Sequence, residues 1–468
     1  MIEEVREISR RQFDAFCYAR APFLKTFSEE VAWFEGFGRK VLGVVVTDFY
    51  DKDYGFVILG RDARNIFRAI KLPGDFYENP EEAKDALVLA MEEFRSDGQT
   101  NYPQGDEKKL PHEIFKLQVK GEKIHRYFRL LISEPHYEGA VNIIKEIAYS
   151  YVDVDGNYIK DFQSTGFDSR LWELFLYMYL HSSGFSINND FHAPDYVVDY
   201  FGIPFSIEAV TVNSSPTFDE PNPKNAREAH LLRLDYMPIK FGSPLTTKLK
   251  KRYWDERHVK GKPLILAIHD YHQPANLETA GSMTWSRFAL MDYLYGIRPK
   301  FREEGDIFVA EHTRSEIGVH AILEKVEFHS WKGKKIPSNF FGLETAENIS
   351  AVLFSNTATI TTFNRMGKLA GLGSANVKMI RSGFKFDPTP FALEPQQFII
   401  DVDSPEYEES WSDGLVMYHN PNTLYPVDIN AFANVSHVFF DQDRMAFSEI
   451  INPHNVFAST TLVFKTKE

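Results

Sequence analysis

Between residues 171 and 212 two acids sit inside runs of apolar residues, which restricts the folds open to this chain more than any other feature. The run Leu171-Trp172-Glu173-Leu174-Phe175-Leu176-Tyr177-Met178-Tyr179-Leu180 is too long for an ordinary buried strand, and Asp168 or Ser169 before it can cap a helix. It reads as a helix ending near Gly184. Two shorter runs, 193–200 and 203–212, are rich in Val, Ile, Tyr and Phe, and Tyr200-Phe201-Gly202 between them predicts an antiparallel hairpin. Alternation then puts Phe205, Ile207, Ala209 and Thr211 on one face and Ser206, Glu208, Val210 and Val212 on the other. A carboxylate is costly to bury unless it is paired or binds a cation. If the hairpin pairs Asp195 with Glu208 across its turn, the two acids converge, and the pattern points to a divalent metal site.

A helix bearing an acid (Glu173), Pro194-Asp195 opening one strand, and Glu208 inside the next together resemble the core of the PD-(D/E)XK nuclease superfamily, the restriction-endonuclease-like fold. The resemblance covers residues 166–272. It implies that Asp195 and Glu208 hold Mg²⁺ or Mn²⁺ together with the backbone carbonyl of Ala209, and that Glu173 matches the helical acid of many members. The family's Lys, two residues after the second acid, is absent, and Val210 stands there. Lys248 is the candidate replacement, because a helix opened by Ser243 and Pro244 carries Leu245, Leu249 and Tyr253 on one stripe, with Lys248 at its border.

The expected activity is metal-dependent hydrolysis of nucleic-acid phosphodiester bonds by an endonuclease or phosphodiesterase, in restriction, repair or phage defence. The alternative is a nuclease-fold scaffold without chemistry that binds nucleic acid or protein. Simpler readings stand beside each residue: Glu173 paired with Arg170, Asp195 merely opening a strand, and Lys248 solvated. A third reading takes His269, Asp270 and His272, at the end of the apolar run 263–268, as a transition-metal site of another hydrolase.

The formal charge of −14 argues against a general nucleic-acid coat, so phosphate contact requires a local patch. One lies directly after the candidate site, where Lys240, Lys248, Lys250, Lys251, Arg252, Arg257, Lys260 and Lys262 face only Asp255 and Glu256 in the same stretch. The stretch also reads simply as a solvated helix face; nucleic acid, DNA foremost, is the partner that the resemblance implies, with a homodimer or a protein partner left open. The single cysteine, Cys17, excludes an intramolecular disulfide. No signal-peptide pattern opens the chain and no run approaches 18 apolar residues, so the expectation is a cytoplasmic protein with no membrane partner.

The expected fold class is α/β: a restriction-endonuclease-like mixed sheet with helices (111–300), flanked by an N-terminal α+β domain (1–110) and a C-terminal β-rich α+β region (301–468). In the first domain Thr26-Phe27-Ser28-Glu29 has the form of a capping box, predicting a helix through Phe37. Strands are expected over 40–50, 54–60 and 66–72, and a helix from Pro80. Residues 96–111 read as a linker and 151–166 as a turn-rich connection. The last third shows short β-type runs at 306–311, 317–329, 349–354, 357–363, 397–401 and 461–465. Its histidines, His312, His320 and His329, have no ligand spacing. Arg365, Lys368 and the 378–385 segment are candidates for phosphate contact, although the Gly367 to Gly373 segment lacks P-loop order and reads as a turn.

Overall fold

A computed structural model of the chain describes all residues except 1–3, 108–111, 154–155, 214–224, 272–280, 306, 316–317, 390–391, 393–394, 453–454 and 467–468. His272, the loop at 214–224, the end of the expected linker and the first residues of two expected strands lie outside the described residues.

The apolar run at 171–180 forms the helix Phe167–Ser182, and every residue from Leu171 to Leu180 is buried. A helix buried on all sides belongs inside the molecule rather than on its surface. Its N-cap position is Gly166, not Asp168 or Ser169. Asp168 instead lies in the first turn, where a carboxylate suits the positive end of the helix dipole. The far end closes as the sequence predicts. Phe185 N–H donates to Leu180 O (3.0 Å) and Gly184 N–H to His181 O (3.2 Å), with Gly184 at φ +86°. This pair of hydrogen bonds around a left-handed glycine satisfies carbonyls that the last turn leaves open.

The helix lies against a mixed eight-stranded sheet. In spatial order its strands are Ala446–Ile450, Ser436–Asp441, Val416–His419, Ala351–Ser355, Leu264–Asp270, Ile203–Val212, Tyr196–Tyr200 and Ser186–Asn188. Leu264–Asp270 pairs in parallel with both neighbours and all seven of its residues are buried, as expected of a near-continuous apolar strand covered on both faces. One face carries Phe205, Ile207, Ile265 and Ala267 into a core shared with Trp172 and Phe175. The other carries Val210, Val212, Leu266 and Ile268 into a core with Leu245, Leu249 and Tyr253. Because the four strands before residue 300 and the four after it join edge to edge, through Leu264–Asp270 and Ala351–Ser355, in one sheet, the expected boundary there does not separate two sheets.

The N-terminal region is an antiparallel sheet of Arg6–Ile8, Ser28–Gly36, Val41–Asp48, Tyr54–Arg61 and Phe67–Lys71, with the helix Pro80–Glu92 packed on it. Packing is closest at Gly43, where a Cβ would stand 2.7 Å from Met91 Sδ. The capping-box expectation fails: Pro22–Thr26 is a short 3₁₀ turn and residues 28–36 form a strand. Ala32 and Phe34 point into the core from that strand, and a two-sided ladder outweighs a local cap signal. The 151–166 connection also contains the helix Tyr158–Gln163.

Two further expectations change in the last third. Residues 357–363, read as a strand, instead open the helix Ile360–Leu369, because the Thr359 side chain accepts from Thr362 N–H at its N-terminus. Gly367 lies inside that helix rather than in a turn. Its bare backbone meets that of Gly139 on the helix Glu138–Ser150, where a Cβ would stand 2.1 Å from Gly139 O. The strands Gln396–Asp401, Val377–Lys385 and Val456–Lys465 form a separate antiparallel sheet. Among the described residues, no helix is long and apolar enough to cross a membrane.

Trp172 joins the central helix to the sheet: it is fully buried, and its Nε1–H donates to Ala267 O at 2.9 Å. Trp172→Ala should lower the unfolding free energy by about 3–5 kcal/mol in chemical denaturation, since both the cavity and the orphaned carbonyl add to the loss. A loss below about 1 kcal/mol would show that this contact does not hold the helix to the sheet.

Candidate functional site

The hairpin that carries the acids is set by its turn. Phe201 (φ +49°) and Gly202 (φ +91°) form a two-residue loop with both φ values positive, the geometry that matches strand twist. Gly202 N–H donates to Asp199 Oδ1 at 2.8 Å. The ladder pairs Tyr200 with Ile203, Val198 with Phe205 and Tyr196 with Ile207, which puts Asp195 opposite Glu208. Asp195 N–H donates to Glu208 Oε2 (3.2 Å), and Ala209 N–H donates to Asp195 Oδ2 (2.7 Å). The two acids that lie 13 residues apart in the chain thus bond to each other's strands.

Glu208 points to the face covered by the helix Met237–Lys250, and only 3% of the residue is exposed. Lys248 Nζ donates to its Oε1 and forms an ion pair with it. Tyr253 OH donates to the same oxygen at 2.5 Å, from the 3₁₀ turn Tyr253–Asp255 that follows the helix. The helix starts six residues before the expected Ser243 cap, and Pro244 falls inside it, but Leu245 and Leu249 are buried on the expected stripe and Lys248 borders it. Val210, at the position of the family's Lys, is buried in the core on this face.

Glu173 approaches from the central helix and is also buried. Arg170 Nη1 donates to its Oε1 (3.1 Å) and Oε2 (2.9 Å), and Tyr151 OH donates to Oε2 (3.3 Å). Burial raises its pKa, against the opposing pull of Arg170, and the charge of Glu208 raises it further. Asp195 as a residue retains exposed surface, yet its carboxyl is hemmed in by the hairpin. Loss of hydration first, and then the charges of Glu208 and Glu173, push its pKa up to about 8. Among the described residues, no group of three or more His, Cys, Asp or Glu side chains is arranged to hold a metal ion. The close carboxylates are a pair, Asp195 and Glu208, with Glu173 beyond them clamped by Arg170.

The basic stretch is anchored beside this pair at two points. Tyr253 bonds Glu208, and His258 stacks on Phe191 (centroids 3.9 Å apart) while its Nε2 lies 2.8 Å from Ala193 O, two residues before Asp195. Lys250, Lys251, Arg252, Arg257 and Lys260 are exposed, with Arg252 paired to Asp255 at 2.7 Å. The roles of Tyr253 and Tyr151 escape a reading of motifs. A buried acid demands donors, but nothing in the local sequence says which distant tyrosines supply them.

Among the described residues, the other candidates do not converge on a site. His269 is fully buried beside Trp172 and accepts Ala358 N–H on Nε2 (2.9 Å); burial lowers its pKa well below the usual range. Its successor Asp270 points to the opposite face of the same buried strand, as alternation requires. Arg365 is buried and bonds Glu409, while Lys368 and Lys378 pair with Asp403. Arg365 and Lys368 are turned inward on these partners, whereas Lys378 meets Asp403 at the surface. Comparison with protein-family models, with curated proteins and with solved structures returns no match.

The raised pKa of Asp195 has a definite sign. An unfolded Asp loses its proton near roughly 3.9, whereas the folded chain holds it up to about 8. The native state therefore binds more protons across this window, and its stability falls as pH rises through it. Asp195→Asn should remove that decline, so that without divalent ions the Tm advantage of the variant over the native chain widens between about pH 5 and about pH 8. A gap independent of pH would show that Asp195 titrates normally.

Proposed function

We propose that the chain is a divalent-metal-dependent nuclease of the restriction-endonuclease-like type, hydrolysing phosphodiester bonds of nucleic acid, with DNA the first substrate to test. One observation carries the reading: the hairpin register sets Asp195 opposite Glu208, with the Lys248 ammonium on Glu208. Two carboxylates and a cation meet here from three elements. The order of helix, three strands, helix and strand from Phe167 to Asp270 also agrees with the resemblance.

The donor set fits a hard divalent cation. Oxygen ligands are available from Asp195, Glu208 and the Ala209 carbonyl, and the raised pKa of Asp195 is the condition that a nearby dication reverses. Bound Mg²⁺ or Mn²⁺ would supply Lewis-acid polarisation of the phosphate and acidify the attacking water. Asp195 and Glu208 hold their positions through main-chain bonds to the facing strand, so the pair is organised before any ligand arrives. Lys248 takes the part left open by Val210, offsetting negative charge that develops on the phosphate. Arg170 and Tyr151 orient the Glu173 carboxylate toward the same region. The exposed cations from Lys250 to Lys260 would receive the nucleic-acid backbone, a sequence-independent contact.

A second reading rests on the same ion pair. Lys248 and Tyr253 already satisfy Glu208 Oε1, as they would in a scaffold that keeps the fold without the chemistry and binds nucleic acid or protein. Calorimetry separates the two, because the scaffold shows no Mn²⁺ binding that Asp195→Asn removes.

The double variant Asp195→Asn, Glu208→Gln should abolish Mg²⁺- or Mn²⁺-dependent cutting of plasmid DNA, single-stranded DNA or RNA while its circular dichroism matches that of the native chain. Lys248→Met should slow cutting by about 10²-fold or more. Undiminished cutting by the double variant would reject the assignment.

A further inference from the structure

A cavity of about 470 Å³ lies where the N-terminal segment, the C-terminal end of the Phe167–Ser182 helix and the loop at 409–412 meet. None of its lining residues belongs to the acid hairpin or to the Lys248 helix, so it is a separate feature of the molecule. Its size is that of a small-molecule site.

Its walls combine two chemistries. Arg10, Arg11, Arg20 and Lys25 line it from the N-terminal side, against the acids Asp14 and Glu409, while Met178, Met366 and Trp411 supply an apolar surface. The cations are unequally occupied. Arg20 is spent on Asp14 and Glu30, both at 2.5 Å. Arg10 lies 3.6 Å from Asp14, and Arg11 Nη2 donates to the Glu409 carbonyl at 3.2 Å. Lys25 has no carboxylate at ion-pair distance among the described residues. Loss of hydration and then the like charges of Arg20 and Arg10 lower its pKa.

The wall behind the cavity adds positive charge instead of cancelling it. The single carboxylate of Glu409 is shared by Arg365 (2.6 Å) and Arg381 (3.2 Å), and all three residues are buried. The remaining hydrogen-bond partners are the neutral hydroxyls of Thr362, Thr461, Ser459 and Tyr407. Two guanidiniums against one carboxylate leave an excess buried charge, and Arg381 Nη2 finds no hydrogen-bond partner. A positive wall, cations at the entrance and an apolar surface occur together in a chain whose net charge is −14.

We propose that this cavity binds a phosphorylated small molecule with an aromatic or apolar body, of mononucleotide size. The phosphate would lie against Arg11 and Lys25, whose fork and ammonium suit a multiply charged anion, and the body would rest on Trp411 and the methionines.

Calorimetric titration of the full chain with AMP and with phenyl phosphate tests this, with adenosine as the uncharged control. At least one of the two phosphates should bind saturably with Kd below about 1 mM, and adenosine should bind at least about tenfold more weakly than AMP if AMP is the one bound. Arg11→Glu and Lys25→Glu lie at exposed positions and should keep the native Tm, yet each should weaken binding by about tenfold or more, whereas Lys250→Glu should leave it unchanged. The proposal is overturned if neither phosphate binds saturably, or if both charge reversals leave the affinity as it was.

Discussion

Ionised side chains taken out of water set the terms for this structure. Glu173, Glu208 and Glu409 are all buried, and each has a cation beside it, one turn away on the same helix for Glu173 and from a distant part of the chain for Glu208 and Glu409. Arg170 serves Glu173, Lys248 serves Glu208, and Arg365 with Arg381 serves Glu409. Breaking such a pair from one side leaves a bare charge in a poorly polarisable interior, which costs about 3–5 kcal/mol, so the elements carrying the partners are held in one relative arrangement. The energetic argument is strongest for Glu409 and its arginines, where every member is buried. It is weaker for Lys248, whose side chain still reaches solvent.

Around these pairs the architecture follows from apolar burial. The Phe167–Ser182 helix has no polar face from Leu171 to Leu180 and can exist only with partners on all sides. The sheet covers it along Trp172, and Phe363 and Trp411 cover it near Phe175. The helices Glu138–Ser150 and Ile360–Leu369 close on each other through Gly139 and Gly367, a contact that any side chain at either position would obstruct. The last third of the chain is thereby built into the same body as the acid hairpin.

The site and the cavity use charge in opposite ways. At the hairpin three acids crowd together, and the crowding raises the pKa of Asp195. At the cavity, positive groups exceed their partners, which favours an anion. Both differ from Arg61 with Glu146, where one guanidinium meets one carboxylate.

Local pattern was sufficient for much of the chain. The helix ending at Gly184, the hairpin turn at Phe201-Gly202 and the buried strand 264–270 all follow from the spacing of apolar residues and from backbone preferences that neighbouring residues impose. The pairing of Asp195 with Glu208 also belongs here, because a two-residue turn fixes register and register fixes which side chains face each other. Local signals misled where a long-range ladder or a cap competed with them, at Ser28–Gly36 and at Ile360–Leu369, and the helix of Lys248 begins earlier than its Ser-Pro pair suggests. Only the tertiary structure decided that Lys248 and Tyr253 reach Glu208, that Tyr151 joins Arg170 on Glu173, and that strands from both sides of residue 300 share one sheet. Those outcomes depend on which distant surfaces pack together, and the spacing of residues along a chain carries no record of distances across it.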